Sequence, residues 1–191
     1  TQVLQRSLNT GSAWISQQLG SDLFYWYVRQ FGFGSSTESG MSGEAEGIVK
    51  EPGNLFWSTV DLATNSYGQG ISVTPLQVVR AIASIANGGD LVRPRIVRSI
   101  ITENEVLAIP PVIERRVIRE DTSARMRIMM QAVVDGVVNH PAQSPGWPVA
   151  GKSGTSDVAE FGAYLEGESI ASFAGFAPAD DPRIVVLVKL D

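Results

Sequence analysis

Apolar residues recur at helical spacing over residues 12–31. Trp14, Ile15 and Leu19 lie on one side of a first segment; Leu23, Phe24, Tyr27 and Phe31 follow an i, i+3/i+4 pattern in a second, with a break near Gly20. The glycine- and serine-rich stretch "FGFGSSTESGMSGEAEG" then predicts an irregular surface segment. A better-defined helix follows in "YGQGISVTPLQVVRAIASIANGG". Thr74 caps it, Pro75 suits its first position, and Gln77 completes a capping box. Leu76, Val79, Ala83 and Ala86 form its apolar stripe, and Asn87, Gly88 and Gly89 stop it. "RPRIVRSII" reads as a strand near a surface. A third helix is expected over 122–138, with Met126, Met129, Val133 and Val137 inward. Three strands should follow, at 149–157, 169–176 and 183–190, the last two joined through "APADDP" as a hairpin. Helices first and antiparallel strands last predict an α+β layer arrangement.

Composition narrows the picture. The chain has 191 residues, 43% hydrophobic and 18% charged, which fits one globular domain over 1–191. A formal net charge of -5 argues against a nucleic-acid partner. The absence of cysteine removes disulfides and thiolate chemistry. No apolar run approaches a membrane span. The opening "TQVLQRSLNTG" and the closing "RIVVLVKLD" both read as truncations. The unbroken run Ile184 to Val188 predicts a strand buried on both faces and wanting a neighbour on each edge.

The candidate chemistry lies in "VAGKSGTSD". Strand alternation puts Lys152, Gly154 and Ser156 on one face and Ser153 and Thr155 on the other. That splits the polar groups unless twist, or a ligand at the strand edge, gathers them. Gly151 and Gly154 predict the close approach of another backbone or a ligand. A lysine there can hold a carboxylate or assist proton transfer, and strand N–H groups can support an oxyanion. A polar edge strand with turn glycines accounts for the segment equally well.

The "GKSGT" stretch resembles the Lys-Ser/Thr-Gly motif of penicillin-recognising serine transpeptidases, and "SLN", Ser7 to Asn9, resembles their Ser-x-Asn motif. The long segment from "GQGISVTPLQ" to "LVRPRIV", together with "FGFG" and "SFAGFAPADDPRIVVLVKLD", is similar to class B penicillin-binding proteins, and the resemblance covers nearly the whole chain. It implies a penicillin-binding, serine β-lactamase-like fold with an antiparallel sheet flanked by helices, incomplete in this chain. It further implies that Ser7 relays a proton near the nucleophile. Asn9 would bond the substrate amide and the first motif's lysine. Lys152 would shape the field in the cleft, and Ser153, Gly154 and Thr155 would hold a terminal carboxylate. The N–H of Thr155 would be half of an oxyanion hole. No cofactor is implied. The implied partners are peptidoglycan stem peptides, β-lactam antibiotics, a companion N-terminal part of the same domain and cell-wall-synthesis membrane proteins. The intact protein would be anchored by a single membrane pass, with its catalytic domain outside.

The pattern departs from the family in two places. No serine is followed by lysine three residues on, so the nucleophile's Ser-x-x-Lys is expected upstream and the chain alone is expected to be inactive. Asp157 stands near where relatives often carry glutamine, putting a negative charge beside a carboxylate-binding site. A D,D-carboxypeptidase, a β-lactam sensor and a non-catalytic peptidoglycan-binding scaffold remain alternative readings. His140 is expected to be an ordinary loop residue, "ERRVIRE" a solvated surface, and "FYWYVRQF" core packing. Gly68, Gln69 and Gly70 stand where they can fix a cleft wall, with no contact assignable.

Overall fold

The computed structural model describes residues 1–160 and 163–190. Three helices lead: α1 (Gln2–Gln5), α2 (Asn9–Leu19) and α3 (Ser21–Gln30). Gly20, with φ of 76°, makes the break between α2 and α3. The apolar residues of these two helices are less buried than their periodicity predicts. Tyr25 is buried, whereas Trp14, Ile15, Leu19, Leu23 and Tyr27 remain exposed. Then come β1 (Ile48–Val49), α4 (Thr59–Ser66), β2 (Ile71–Ser72) and α5 (Pro75–Ala86). Four short strands follow: β3 (Asp90–Val92), β4 (Ser99–Ile101), β5 (Val106–Ala108) and β6 (Ile113–Arg116). The chain continues through α6 (Glu120–Asp135), β7 (Ala150–Glu160), β8 (Ala163–Ala177) and β9 (Ile184–Leu190).

The α5 cap is as expected: the Thr74 hydroxyl accepts from Gln77 N, and Gln77 Oε1 accepts from Thr74 N at 3.0 Å. Its buried face is different. Gln77, Arg80, Ala81, Ser84 and Ala86 are buried, and of the expected stripe only Ala86 is among them. Polar residues go inward because long-range partners meet them. Gln77 Nε2 donates to the carbonyls of Ser35 (2.7 Å) and Glu46 (2.8 Å), which pins the glycine-rich segment. Glu44 within that segment accepts from Thr37 N at 2.7 Å and from the hydroxyls of Ser36 and Ser39. The stretch is irregular, as expected, but Thr37 and Ser39 are buried. Arg80 is buried against Glu114, and its Nε donates to the Val92 carbonyl at 3.0 Å. "ERRVIRE" is therefore no simple solvated surface: Glu114 neutralises a core arginine and Val117 is buried.

Several boundaries move, among them the start of β8, which lies at Ala163 rather than at Ser169. Only Ser99–Ile101 of "RPRIVRSII" is strand. Helix α6 starts and ends earlier than expected, at Glu120 and Asp135, so Val137 lies beyond it and is exposed. Its buried residues are Ser123, Met130, Val133 and Val134.

Strands β7, β8 and β9 form one antiparallel sheet in that order. Alternation and register put Ala150, Lys152 and Gly154 of β7 on the face that carries Ala174, Phe176 and Val185. That face packs on the helices: Ala86, Met130, Ala150, Phe176 and Ala179 make one core, with Leu4, Ile82, Ile85 and Val185 against it. The opposite face carries Gly151, Ser153, Thr155 and Asp157 with Phe173, Val186 and Val188. The expectation that Ile184 to Val188 is buried on both faces fails among the described residues. Val185 and Leu187 are half-buried, while Val186 and Val188 are each 50% exposed. An all-apolar strand still sends alternate residues to opposite faces, and only one face here meets helices.

Candidate functional site

Ser7 is placed by an unusual helix end. Its N–H donates to the Leu4 carbonyl (3.3 Å) and that of Leu8 to the Val3 carbonyl (3.0 Å), the paired bonds of a Schellman motif closing α1. The position between them needs a left-handed backbone, normally supplied by glycine. Ser7 adopts φ of 51° there, a conformation that disfavours side chains with a Cβ. The strained residue is exposed, and Asn9 follows as the first residue of α2. A non-glycine residue held in this region is a pointer toward function. Ser7→Gly in the intact protein is expected to raise stability by about 1 kcal/mol by relieving the backbone. The resemblance casts Ser7 as a proton relay, so the same change is also expected to slow acylation at least ~10-fold. Thermal melting and stopped-flow acylation read the two effects. Ser7→Ala should lose rate without gaining stability.

Lys152 emerges from β7 on the helix-packed face and is half-buried. Burial lowers its pKa below the ordinary lysine value. The ammonium does not stay on that face. Its Nζ bends round the strand and donates to the carbonyl of Ser153 at 2.6 Å, with Ser153 Oγ 3.4 Å away. The polar groups that alternation splits are therefore regathered at the strand edge by the length of the lysine side chain.

This bond also orients the backbone. β7 is an outer strand, paired with β8 alone among the described residues. The carbonyl of Gly154 faces β8, where it accepts from Ser172 Oγ at 3.5 Å, while that of Ser153 faces the outer edge, where Lys152 reaches it. In an extended strand the N–H and C=O of one residue point to the same edge and alternate along the chain. The N–H of Thr155 is therefore directed to the same open edge as the Ser153 carbonyl.

The two glycines have different explanations. A Cβ on Gly151 would lie 2.3 Å from Phe173 Cζ and 2.8 Å from the Ala174 carbonyl oxygen. The close neighbour is an aromatic ring of β8, so the strand's own sheet, with no ligand required, accounts for Gly151. Gly154 has only Ser172 Oγ near, at 2.9 Å. Sequence reasoning left Phe173 unassigned. Its ring also meets His140, with centroids 5.8 Å apart, and His140 Nδ1 accepts from Ala142 N at 3.1 Å.

Helix α6 is the common neighbour of the two motifs. It packs against β7, and Gln5 Nε2 at the end of α1 donates to its Ala132 carbonyl at 2.8 Å. The hydroxyl of Ser7 and the amide of Asn9 make no hydrogen bond among the described residues, and neither meets Lys152 directly. Asp157 does have a partner: Gln69 Nε2 donates to its Oδ2 at 3.2 Å. That contact places the Gly68–Gly70 loop beside the end of the lysine strand.

Residues 1–191 match the family described as the penicillin binding protein transpeptidase domain. The chain is 38% identical over 193 residues to stage V sporulation protein D of Bacillus subtilis, covering 100% of this chain and 30% of that protein. It is 30% identical over 190 residues to the probable peptidoglycan D,D-transpeptidase PenA of Neisseria meningitidis, covering 99% of this chain and 31% of that protein. The crystal structure of penicillin-binding protein 3 from Mycobacterium tuberculosis complexed with aztreonam superposes with a TM-score of 0.90 at 32% identity, covering 99% of this chain and 44% of that one. The chain thus spans under a third of the length of these curated relatives. With an α+β fold and both motifs in family order, the chain belongs to the transpeptidase-domain family of the class B penicillin-binding proteins.

Proposed function

We propose that this chain forms the Ser-x-Asn and Lys-Ser-Gly walls of a peptidoglycan D,D-transpeptidase that works through a serine acyl-enzyme. The observation that carries the reading is the edge of β7, where the Lys152 ammonium, the Ser153 hydroxyl and the outward N–H of Thr155 meet on one side. The nucleophilic serine belongs to a Ser-x-x-Lys motif upstream, in the part of the relatives that this chain does not span. Its oxygen attacks the D-Ala-D-Ala carbonyl and forms an ester, and the terminal D-alanine leaves as an amine carrying a proton. The amine of a neighbouring stem peptide then attacks the ester, forms the cross-link and returns the proton to the serine. Lys152, Ser153 and Thr155 hold the terminal carboxylate, and the Thr155 N–H stabilises the oxyanion. Ser7 relays the proton and Asn9 bonds the substrate amide. A β-lactam presents a comparable anion and carbonyl, and the aztreonam complex of the Mycobacterium tuberculosis relative supports β-lactam binding at such a site.

In this reading the intact protein is anchored in the cell membrane with its catalytic domain outside; no helix among the described residues is long and apolar enough to cross one. The exposed Ile184, Val186 and Val188 support a companion part of the same domain covering that sheet face. Intact-mass spectrometry with a fluorescent penicillin tests the reading. The intact protein should gain one covalent adduct and residues 1–191 alone none. A labelled serine in the isolated chain would overturn the assignment of the nucleophile.

A further inference from the structure

Gln69 stands in the loop between α4 and β2, on a platform with little freedom. Gly68 has φ of 94°, and a Cβ on Gly70 would lie 2.0 Å from Asn65 Oδ1, so the loop is pressed onto the last turn of α4. The N–H groups of Gly68 and Gln69 donate to the carbonyls of Asn65 (3.2 Å) and Thr64 (3.1 Å). Asn65 is itself held, its Nδ2 donating to Tyr25 Oη (2.8 Å) and to the Lys50 carbonyl (3.2 Å). From this base the Gln69 side chain reaches Asp157, 88 residues along the chain, at 3.2 Å.

Asp157 is a sensitive place to hold. It pairs with Ser169 as the last regular step of β7 before the register shifts between Asp157 and Ala159. It lies two residues past Thr155, on the face of Ser153 and Thr155. Among the described residues, the Gln69 bond is the only side-chain hydrogen bond joining β7 to an element outside its sheet. β8 and α6 hold the body of the strand, and where its register is about to shift this exposed bond adds a grip from a loop pressed onto α4.

We propose that Gln69 and Asp157 form a polar latch, with Gln69 a positioning residue that sets where the Ser153–Thr155 edge stands in the cleft. The effect on rate rests on the acyl-enzyme reading above; the latch itself does not. Gln69→Glu sets two carboxylates against each other and opens it. Gln69→Glu with Asp157→Asn restores a bond of reversed direction, amide donating to carboxylate. In the intact protein, Gln69→Glu should slow acylation by a fluorescent penicillin about 10-fold, as the loss of one charge-assisted bond implies. It should also speed hydrogen exchange at the amides of residues 153–157. The double variant should recover most of both losses, which a generally misfolded Gln69→Glu protein would not explain. Unchanged exchange in Gln69→Glu, or a double variant as impaired as the single one, would overturn the latch. Exchange that responds in a wild-type background showing no acylation would support the latch and overturn the transpeptidase reading instead.

Discussion

Lys152→Ala in the intact protein is expected to slow acylation by penicillin ~10²-fold or more, the scale for losing a positioned electrostatic or proton-transfer group. Thermal melting should stay near wild type, because Lys152 is half-buried beside the core and among the described residues its hydrogen bonds go to Ser153 alone. The pH profile adds a sharper test. Burial disfavours the charged amine, so Lys152 loses its proton below the ordinary lysine value of 10.5. The alkaline limb of acylation should therefore fall at a pH below that value. Lys152→Arg should also be slower, because its fork does not reproduce the ammonium's bonds, yet it stays charged and should push that limb away. The sign for stability is opposite. Between the folded and unfolded pKa values the unfolded chain binds more protons, so stability contributed by this group rises with pH across that window. An acylation rate unchanged in Lys152→Ala would make the lysine an ordinary surface residue.

What the sequence made legible was local. The break at Gly20, the Thr74–Gln77 box and the β8–β9 hairpin each depend on residues within a few positions, and each stands where expected. The candidate strand carries its lysine, serine and threonine in one short stretch, so its existence was also readable. The inward face of α5 was not. Gln77 and Arg80 look like solvent residues until Ser35, Glu46, Val92 and Glu114 arrive from elsewhere in the chain to satisfy them. Burial of a polar group is decided by its partner, and that partner is invisible to periodicity. The same limit hid the Gln69–Asp157 contact: both residues stood out, but nothing in either segment announced the other. Val186 and Val188 show the reverse error, an apolar run taken as doubly buried where the described residues cover one face.

Gly151→Ala in the intact protein is expected to cost about 2–3 kcal/mol, the upper range for forcing atoms into a packed site. The added methyl would meet Phe173 Cζ at 2.3 Å, Phe173 Cε1 at 2.8 Å and the Ala174 carbonyl oxygen at 2.8 Å. The ring has a second reason to stay, because a Cβ on Gly175, the cross-strand partner of Gly151, would also lie 2.8 Å from Phe173 Cε1. Phe173 thus lies over two facing glycines, filling with one ring the space their missing side chains leave on an outer ladder. Lys152 is the next residue, so a strand that backs away from the ring carries the ammonium and the Ser153 hydroxyl with it. Acylation should fall together with melting temperature. The pair Gly151→Ala with Phe173→Leu separates the two obstacles. If the ring dominates, a smaller and more adaptable side chain should restore much of the melting temperature lost in Gly151→Ala. If the carbonyl of Ala174 dominates, the pair should melt no higher than the single variant, and the glycine would then be required by the backbone ladder itself. Recovery of melting temperature without recovery of acylation would mean that the ring, beyond making room for the strand, fixes the direction in which Lys152 leaves it.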